Sequence, residues 1–286
     1  LKCSYGWSDL YELIDVLHNS SSNLDNKLNV DRTLWMHAFN YTLINFDSYV
    51  GYGQNYYLYK SLSNQFQPIL WDLNMSFGGF RLTDATQAFF NGFDINQAQT
   101  MDPLGFLSNN FLSPRPLISN ILSDPRKQRM YLAHMKTIVE DHFSNQDYFS
   151  RAQYLQNLIS NDVQNDPNKF YSFNDFTTNL TSQVSLPSSI CPGITQLMDS
   201  RSTYLTNYWA NFTQPIISNI QSLPNSNQFF GDDLTITAEI QDASYAMLAY
   251  RFGENMPFQE VEMYDDGNHN DGNANDGVYG VVITNC

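Results

Sequence analysis

One short stretch limits what this chain can fold into. The first two hundred residues read as mostly helical, but residues 45–79, NFDSYVGYGQNYYLYKSLSNQFQPILWDLNMSFGG, break the helical rhythm. In QNYYLYK, Tyr56, Leu58 and Lys60 alternate with Tyr57 and Tyr59, a period of two that belongs to a strand. A polar turn follows at residues 61–65, and a second apolar run from Phe66 supplies the partner strand, with Pro68 placed where the ladder needs no donor. The expected fold class is therefore α+β, a largely helical domain around one small β-hairpin.

The oxygen-bearing side chains fall at the two ends of that hairpin. Asp47 stands in a loop with Gly51 and Gly53, directly after a helix; Asn55 opens the first strand, and Asp72 and Asn74 close the second. Asp72 and Asn74 are alternate residues, so an extended backbone would point both to one face. Folding the hairpin brings these four into one cleft. Phosphoryl transfer needs such parts: a carboxylate near the acceptor hydroxyl, and an Asn with an Asp holding magnesium on nucleotide phosphates. The plainer roles are a helix-stop Asp47 and a strand-capping Asn55.

On these residues the chain resembles the CotH (spore coat protein H) kinase family. NFDSYVGYGQNYYLY and PILWDLNMSFGGF look like the family's acidic loop, its NYYLY strand and its WDxD or WDxN box followed by FG. Weaker matches are DPLGFLSNNFLSPRPLISNIL, DPRKQRMYLAHMKTIVEDHF and CPGITQLMDSRSTYL, and together they span about residues 5–210. The resemblance implies an atypical protein-kinase-like C-lobe that uses ATP with Mg or Mn and phosphorylates Ser/Thr of an acceptor protein. It also implies roles: Asp47 as catalytic base or acceptor-orienting carboxylate, Asn55 and Asp72 at the nucleotide, and Asp72, Asn74 and Asn55 as metal ligands. The departure is Asn74, whose neutral amide is a weaker ligand than the acidic residue of the stronger box. No glycine-rich phosphate loop and no Lys on an apolar strand precedes residue 30. The expectation is an absent N-lobe and a chain inactive by itself. The alternative is a non-catalytic surface or coat-type scaffold that keeps the kinase-like shape.

Helices are expected over residues 8–18, with Leu10, Leu13, Ile14 and Leu17 on one face, and over residues 30–46, with Leu34, Trp35, Ala38, Phe39, Leu43 and Ile44 inward. His37 on the second helix is a candidate base whose commoner role is a satisfied core histidine. Further helices are expected at residues 116–122, 124–143, with Asp124 as cap and Pro125 at the first position, 147–162, 172–184 and 192–212.

The helical signal then stops, and the expected boundary separates a kinase-like domain, 1–213, from a second domain, 214–286. DDLTITAEIQ, AMLAYRF, FQEVEMY and VYGVVI read as four short strands of an all-β, immunoglobulin-like sandwich. Before the last lies DDGNHNDGNANDGVYG, in which Asp266, Asn268, Asn270, Asp271 and Asp276 recur with the alternation of a calcium-binding run. It lacks the Gly and Glu of an EF-hand, and its plainer role is a series of Asx turns.

Charge narrows the partners. Fourteen basic against 29 acidic residues give a net charge of −15, which repels nucleic acid and anionic membranes. No run of 18 apolar residues suggests a membrane span. Cys3, Cys191 and Cys286 have no metal-site spacing, and one disulfide stays open. Abundant Tyr, Phe, Asn and Ser with few Lys suit a secreted or cell-surface protein, and the partner considered for it is a surface protein or glycan, with the acceptor protein left open.

Overall fold

The computed structural model describes residues 7–19, 23–82, 92–105, 115–186, 189–225, 231–254 and 256–284. The chain forms two compact units, Leu1–Trp209 and Ala210–Cys286. Cys3 and Cys286 lie outside the described residues, as does part of the segment between residues 81 and 112 that the sequence assigns to loops.

The first unit begins with α1 (Ser8–Asn19), α2 (Leu24–Lys27) and α3 (Val30–Thr42). In α1 the apolar face is narrower than its sequence suggests: Leu13 and Leu17 are buried, while Ile14 is on the solvent side. α3 is the axis of the unit. Thr33, Leu34, Met36, His37, Ala38, Asn40 and Tyr41 are all buried, so core surrounds it on most sides. Trp35 and Phe39 are only partly covered. The one-turn helix α4 (Tyr49–Tyr52) and the strands β1 (Tyr56–Lys60) and β2 (Phe66–Leu70) follow.

After α5 (Ile95–Gln99) and α6 (Pro116–Ser119), α7 (Pro125–Ile138) packs along α3. Its start is as the sequence indicates: the Asp124 side chain accepts from Arg126 N at 2.8 Å, and Pro125 takes the first position. Lys127 is buried and reaches Asp25 of α2 at 3.3 Å. A π-helical turn, Val139–Phe143, extends α7. α8 (Asp147–Asn165) and α9 (Phe173–Thr178) come next, α9 opening on a capping box of Ser172 and Asp175. The expected continuation of α9 to residue 184 is replaced by a short antiparallel hairpin, β3 (Val184–Leu186) and β4 (Ser189–Cys191). α10 (Ile194–Trp209) closes the unit.

Arg201 of α10 is fully buried. Its Nε donates to Thr42 O at 3.0 Å, Nη2 to Tyr41 O at 3.0 Å, and Nη1 to Ala98 O and Met101 O, both at 3.1 Å. The first pair are end carbonyls of α3, of which Tyr41 O also takes a long 3.4 Å bond from Ile44 N, and the second lie at the end of α5. Burial brings the guanidinium down to about 10, so it stays protonated at neutral pH beside the negative ends of two helices.

Among its described residues the second unit holds five antiparallel strands, one more than expected, the additional one being β5 (Ile216–Leu223). β5 pairs with β6 (Leu234–Gln241), which pairs with β9 (Val278–Ile283); β7 (Ala246–Tyr250) pairs with β8 (Gln259–Met263). Ala238, Ile240, Ala246, Met263 and Val281 form its core. Among the described residues no helix is long and apolar enough to cross a membrane.

Arg201→Lys keeps the charge but cannot span four carbonyls with one ammonium. It is expected to lower the unfolding free energy by about 2–4 kcal/mol, read as an earlier denaturant midpoint for the helical unit with the β-unit transition unmoved.

Candidate functional site

The α3 helix was expected to reach residue 46, but it ends at Thr42. Beyond it, tertiary donors take over the carbonyls: Phe77 N donates to Leu43 O at 2.8 Å and Gly78 N to Ile44 O at 3.1 Å. Ile44 adopts φ 49°, which turns the chain out of the helix. Asn45 ties back to Asn40 twice, N to O at 2.7 Å and Nδ2 to Oδ1 at 2.9 Å. Asp47 is thus the first partly exposed residue after a locked helix end.

The loop that carries Asp47 is also locked from its far side. A Cβ on Gly51 would lie 2.0 Å from Phe46 O, so only glycine lets α4 fold onto its own lead-in. Arg115, buried at the start of α6, donates through Nε to Tyr49 O at 2.9 Å and through Nη2 to Gly51 O at 2.7 Å. Leu117 N donates to the Tyr49 hydroxyl at 2.9 Å.

Asp47 and Asn55 meet at the open end of the hairpin, and Asp72 follows the second strand out of that same end. Asn55 Nδ2 donates to Asp47 O at 2.9 Å, and Gln54 Nε2 donates to Asp47 Oδ1. With the Asn55 amide nitrogen committed, its Oδ1 is the atom left to face a ligand. The register pairs Tyr56 with Leu70, which puts Asn55 and the Trp71–Asp72 step at the same end. Asp72 is exposed and has no hydrogen-bond partner among the described residues. The extended geometry expected for Asp72 and Asn74 does not occur. β2 stops at Leu70, Asp72 takes φ 53°, and Asn74 begins an exposed turn, because the chain must bend back for Phe77 and Gly78 to reach α3. Asp72 and Asn74 therefore do not share a strand face.

The donor set is all oxygen and carries charge only on Asp47 and Asp72, a chemistry suited to hard cations such as Mg or Mn. Among the described residues no group of three or more His, Cys, Asp or Glu is placed to hold a metal, so a site here would depend on the Asn55 and Asn74 amides. Beside it, Tyr57, Tyr59, Ile69 and Trp71 present an exposed face, with the Tyr57 and Trp71 rings edge to face at 5.3 Å. On the other face of the hairpin a cleft of about 620 Å³ opens between α3, β2 and the π-turn, lined by Trp35, Phe39, Leu70, Phe77 and Phe143 among others.

His37 is not at this site. It is fully buried, bonded through Nε2 to Leu117 O at 2.8 Å, and burial lowers it to about 4, so it is a neutral core residue.

In the second unit the acidic run closes on itself. Asp271, nearly inaccessible, accepts from Asp266 N and Gly267 N through Oδ2 at 2.6 and 2.9 Å and from His269 N through Oδ1 at 3.0 Å. Asp276 accepts from Asn273 N at 2.9 Å and Val278 N at 3.0 Å. Asp266 accepts from Asn268 N and His269 Nδ1, each at 2.9 Å, and Asn270 Nδ2 donates to Thr235 Oγ1 at 3.2 Å. The five expected calcium residues thus lie in one loop, with the Asp oxygens turned to backbone N–H groups. Burial alone would raise the Asp271 carboxyl, but the N–H groups of Gly267, His269 and Asp266 outweigh it and hold it below the usual carboxylate value.

Sequence reasoning missed the two arginines that brace this site. Arg201 had a readable signal, since it falls on the apolar stripe of Leu197, Met198, Leu205 and Trp209. Arg115, between two prolines, had none. Compared with known proteins, residues 2–209 match the family model described as CotH kinase protein. No curated protein and no solved structure matches the chain.

Two outcomes are expected. Since folded His37 stays neutral while the unfolded chain protonates it below its ordinary pKa of 6.5, its contribution is complete above that pH and fades by about 3 kcal/mol as pH falls toward 4; His37→Gln should flatten the stability-against-pH curve there. Asp271→Ala removes the acceptor of three part-buried N–H groups and should destabilise the β-unit by about 1–2 kcal/mol, whereas a rise in its melting temperature with added calcium would reveal a cation in the loop.

Proposed function

Since the chain belongs to the CotH kinase family, we propose that its kinase-like domain transfers phosphate from ATP to Ser/Thr of an acceptor protein. What supports the reading is the 2.9 Å bond from Asn55 to Asp47 O at the hairpin end from which the Trp71–Asp72 step also leaves. The Asp47 carboxylate orients the acceptor hydroxyl and takes its proton, with Gln54 fixing one of its oxygens. Asp72, the Asn55 Oδ1 and, more weakly, Asn74 would hold Mg or Mn. A bound divalent ion neutralises charge on the phosphates, the main electrostatic need of this reaction.

A non-catalytic scaffold is the second reading, favoured by the neutral Asn74 and by the exposed Tyr57, Tyr59, Ile69 and Trp71 face. For the β-unit we propose an immunoglobulin-like arrangement serving as a spacer or as a module for a surface protein or glycan, in a secreted or surface-exposed protein. Its support is the single apolar core shared by strands of both small sheets.

Calorimetry of ATP with Mg or Mn, run on the full-length protein because this chain by itself is expected to be inactive, separates the two. The kinase reading expects saturable, metal-dependent binding that Asp72→Ala abolishes, while Asp47→Ala retains binding and lowers transfer by about 10²- to 10⁴-fold. Absence of binding with either metal favours the scaffold.

A further inference from the structure

α8 runs for 19 residues and buries none of them fully. Its inner side, Phe149, Ala152, Gln156 and Val163, is half-buried, with Gln156 Nε2 donating to Phe176 O at 2.8 Å. A different side carries Tyr154, Leu155, Leu158 and Ile159, which are 56, 41, 63 and 43 % exposed. With 3.6 residues per turn, these four fall with Arg151 and Asp162 in one strip about 140° wide. A clustered apolar strip facing water implies a partner.

The arrangement of the strip identifies the partner. From the midpoint between Gln156 and Asn157, Leu155 and Leu158 lie equally far on either side, then Tyr154 and Ile159, then Arg151 and Asp162. The strip is therefore its own complement when reversed. A two-fold axis through the midpoint sets Leu155 of one copy beside Leu158 of the other and brings Arg151 opposite Asp162 twice. Among the described residues neither Arg151 nor Asp162 has an ion-pair partner within its own chain; Arg151 lies over its own Tyr154 ring at 5.5 Å.

We infer that α8 is a self-recognition surface on which two copies of this chain pack antiparallel, apolar strip to apolar strip, with an Arg151–Asp162 pair at each end. The central leucines supply burial, and the charges set the direction, because a parallel pairing would place Arg against Arg and Asp against Asp. A membrane fits the strip less well: only one basic residue flanks it, and the net charge of −15 opposes anionic lipid. The surface is small, so the dimer is weak, with a dissociation constant of about 10 μM or more.

Sedimentation equilibrium of the whole chain over about 1 to 200 μM tests this. The average mass should climb from 32.9 kDa toward twice that value. Leu158→Asp, at an exposed position, should hold the monomer mass with an unchanged circular dichroism spectrum. Arg151→Asp should weaken association about tenfold, and adding Asp162→Arg to it should restore wild-type affinity within a factor of about two. A wild-type chain that stays monomeric overturns the inference, whether or not it binds vesicles or another protein. So does association that ignores Leu158→Asp, or a double exchange that fails to restore it.

Discussion

The helical unit depends on a buried cation held by helix ends. Arg201 gives four hydrogen bonds to backbone carbonyls of two helix termini, at 3.0 to 3.1 Å. Burying a guanidinium is costly, and dispersed carbonyl dipoles at two negative helix ends offset that cost without a carboxylate. One side chain thereby joins α10 to α3 and α5. It also satisfies the Tyr41 and Thr42 carbonyls at the end of α3.

That stopping point controls the candidate site. Leu43 and Ile44 carbonyls receive Phe77 and Gly78, so the loop leaving β2 is anchored to the residues that lead into Asp47. Arg115 fastens the other end of the Asp47 loop. Two of the chain's 14 basic residues thus stand inside, holding backbone. In a chain of net charge −15, a phosphate would approach this end only together with a cation.

The β-unit uses carboxylates in the opposite sense. Asp271 is turned inward to gather N–H groups of a loop whose Asn270 and Asn275 take left-handed conformations, whereas Asp72 is left outward with its oxygens unpaired among the described residues. A residue type common to both loops does different work because one loop closes on itself and the other is pulled against a helix. α3 and α8 make the same contrast among helices, one enclosed almost all round, the other with no residue fully buried.

What the sequence determined was local. The helix starts at Asp124–Pro125 and Ser172, the register-setting alternation of β1, and the change from helical to alternating pattern past residue 210 all depend on neighbours in the chain, and all are present in the structure. The approach of Asn55 to Asp47 was legible too, because the two stand close together in the chain at the opening of the hairpin. What only tertiary structure decided were the groups whose partners are distant in sequence. Arg201 meets Tyr41 across 160 positions, and Phe77 and Gly78 reach back to α3; those contacts end α3 early, bend Asp72 out of the strand and separate it from the face of Asn74. Backbone carbonyls at a helix end accept any well-placed donor, and no local pattern states which donor the fold will deliver.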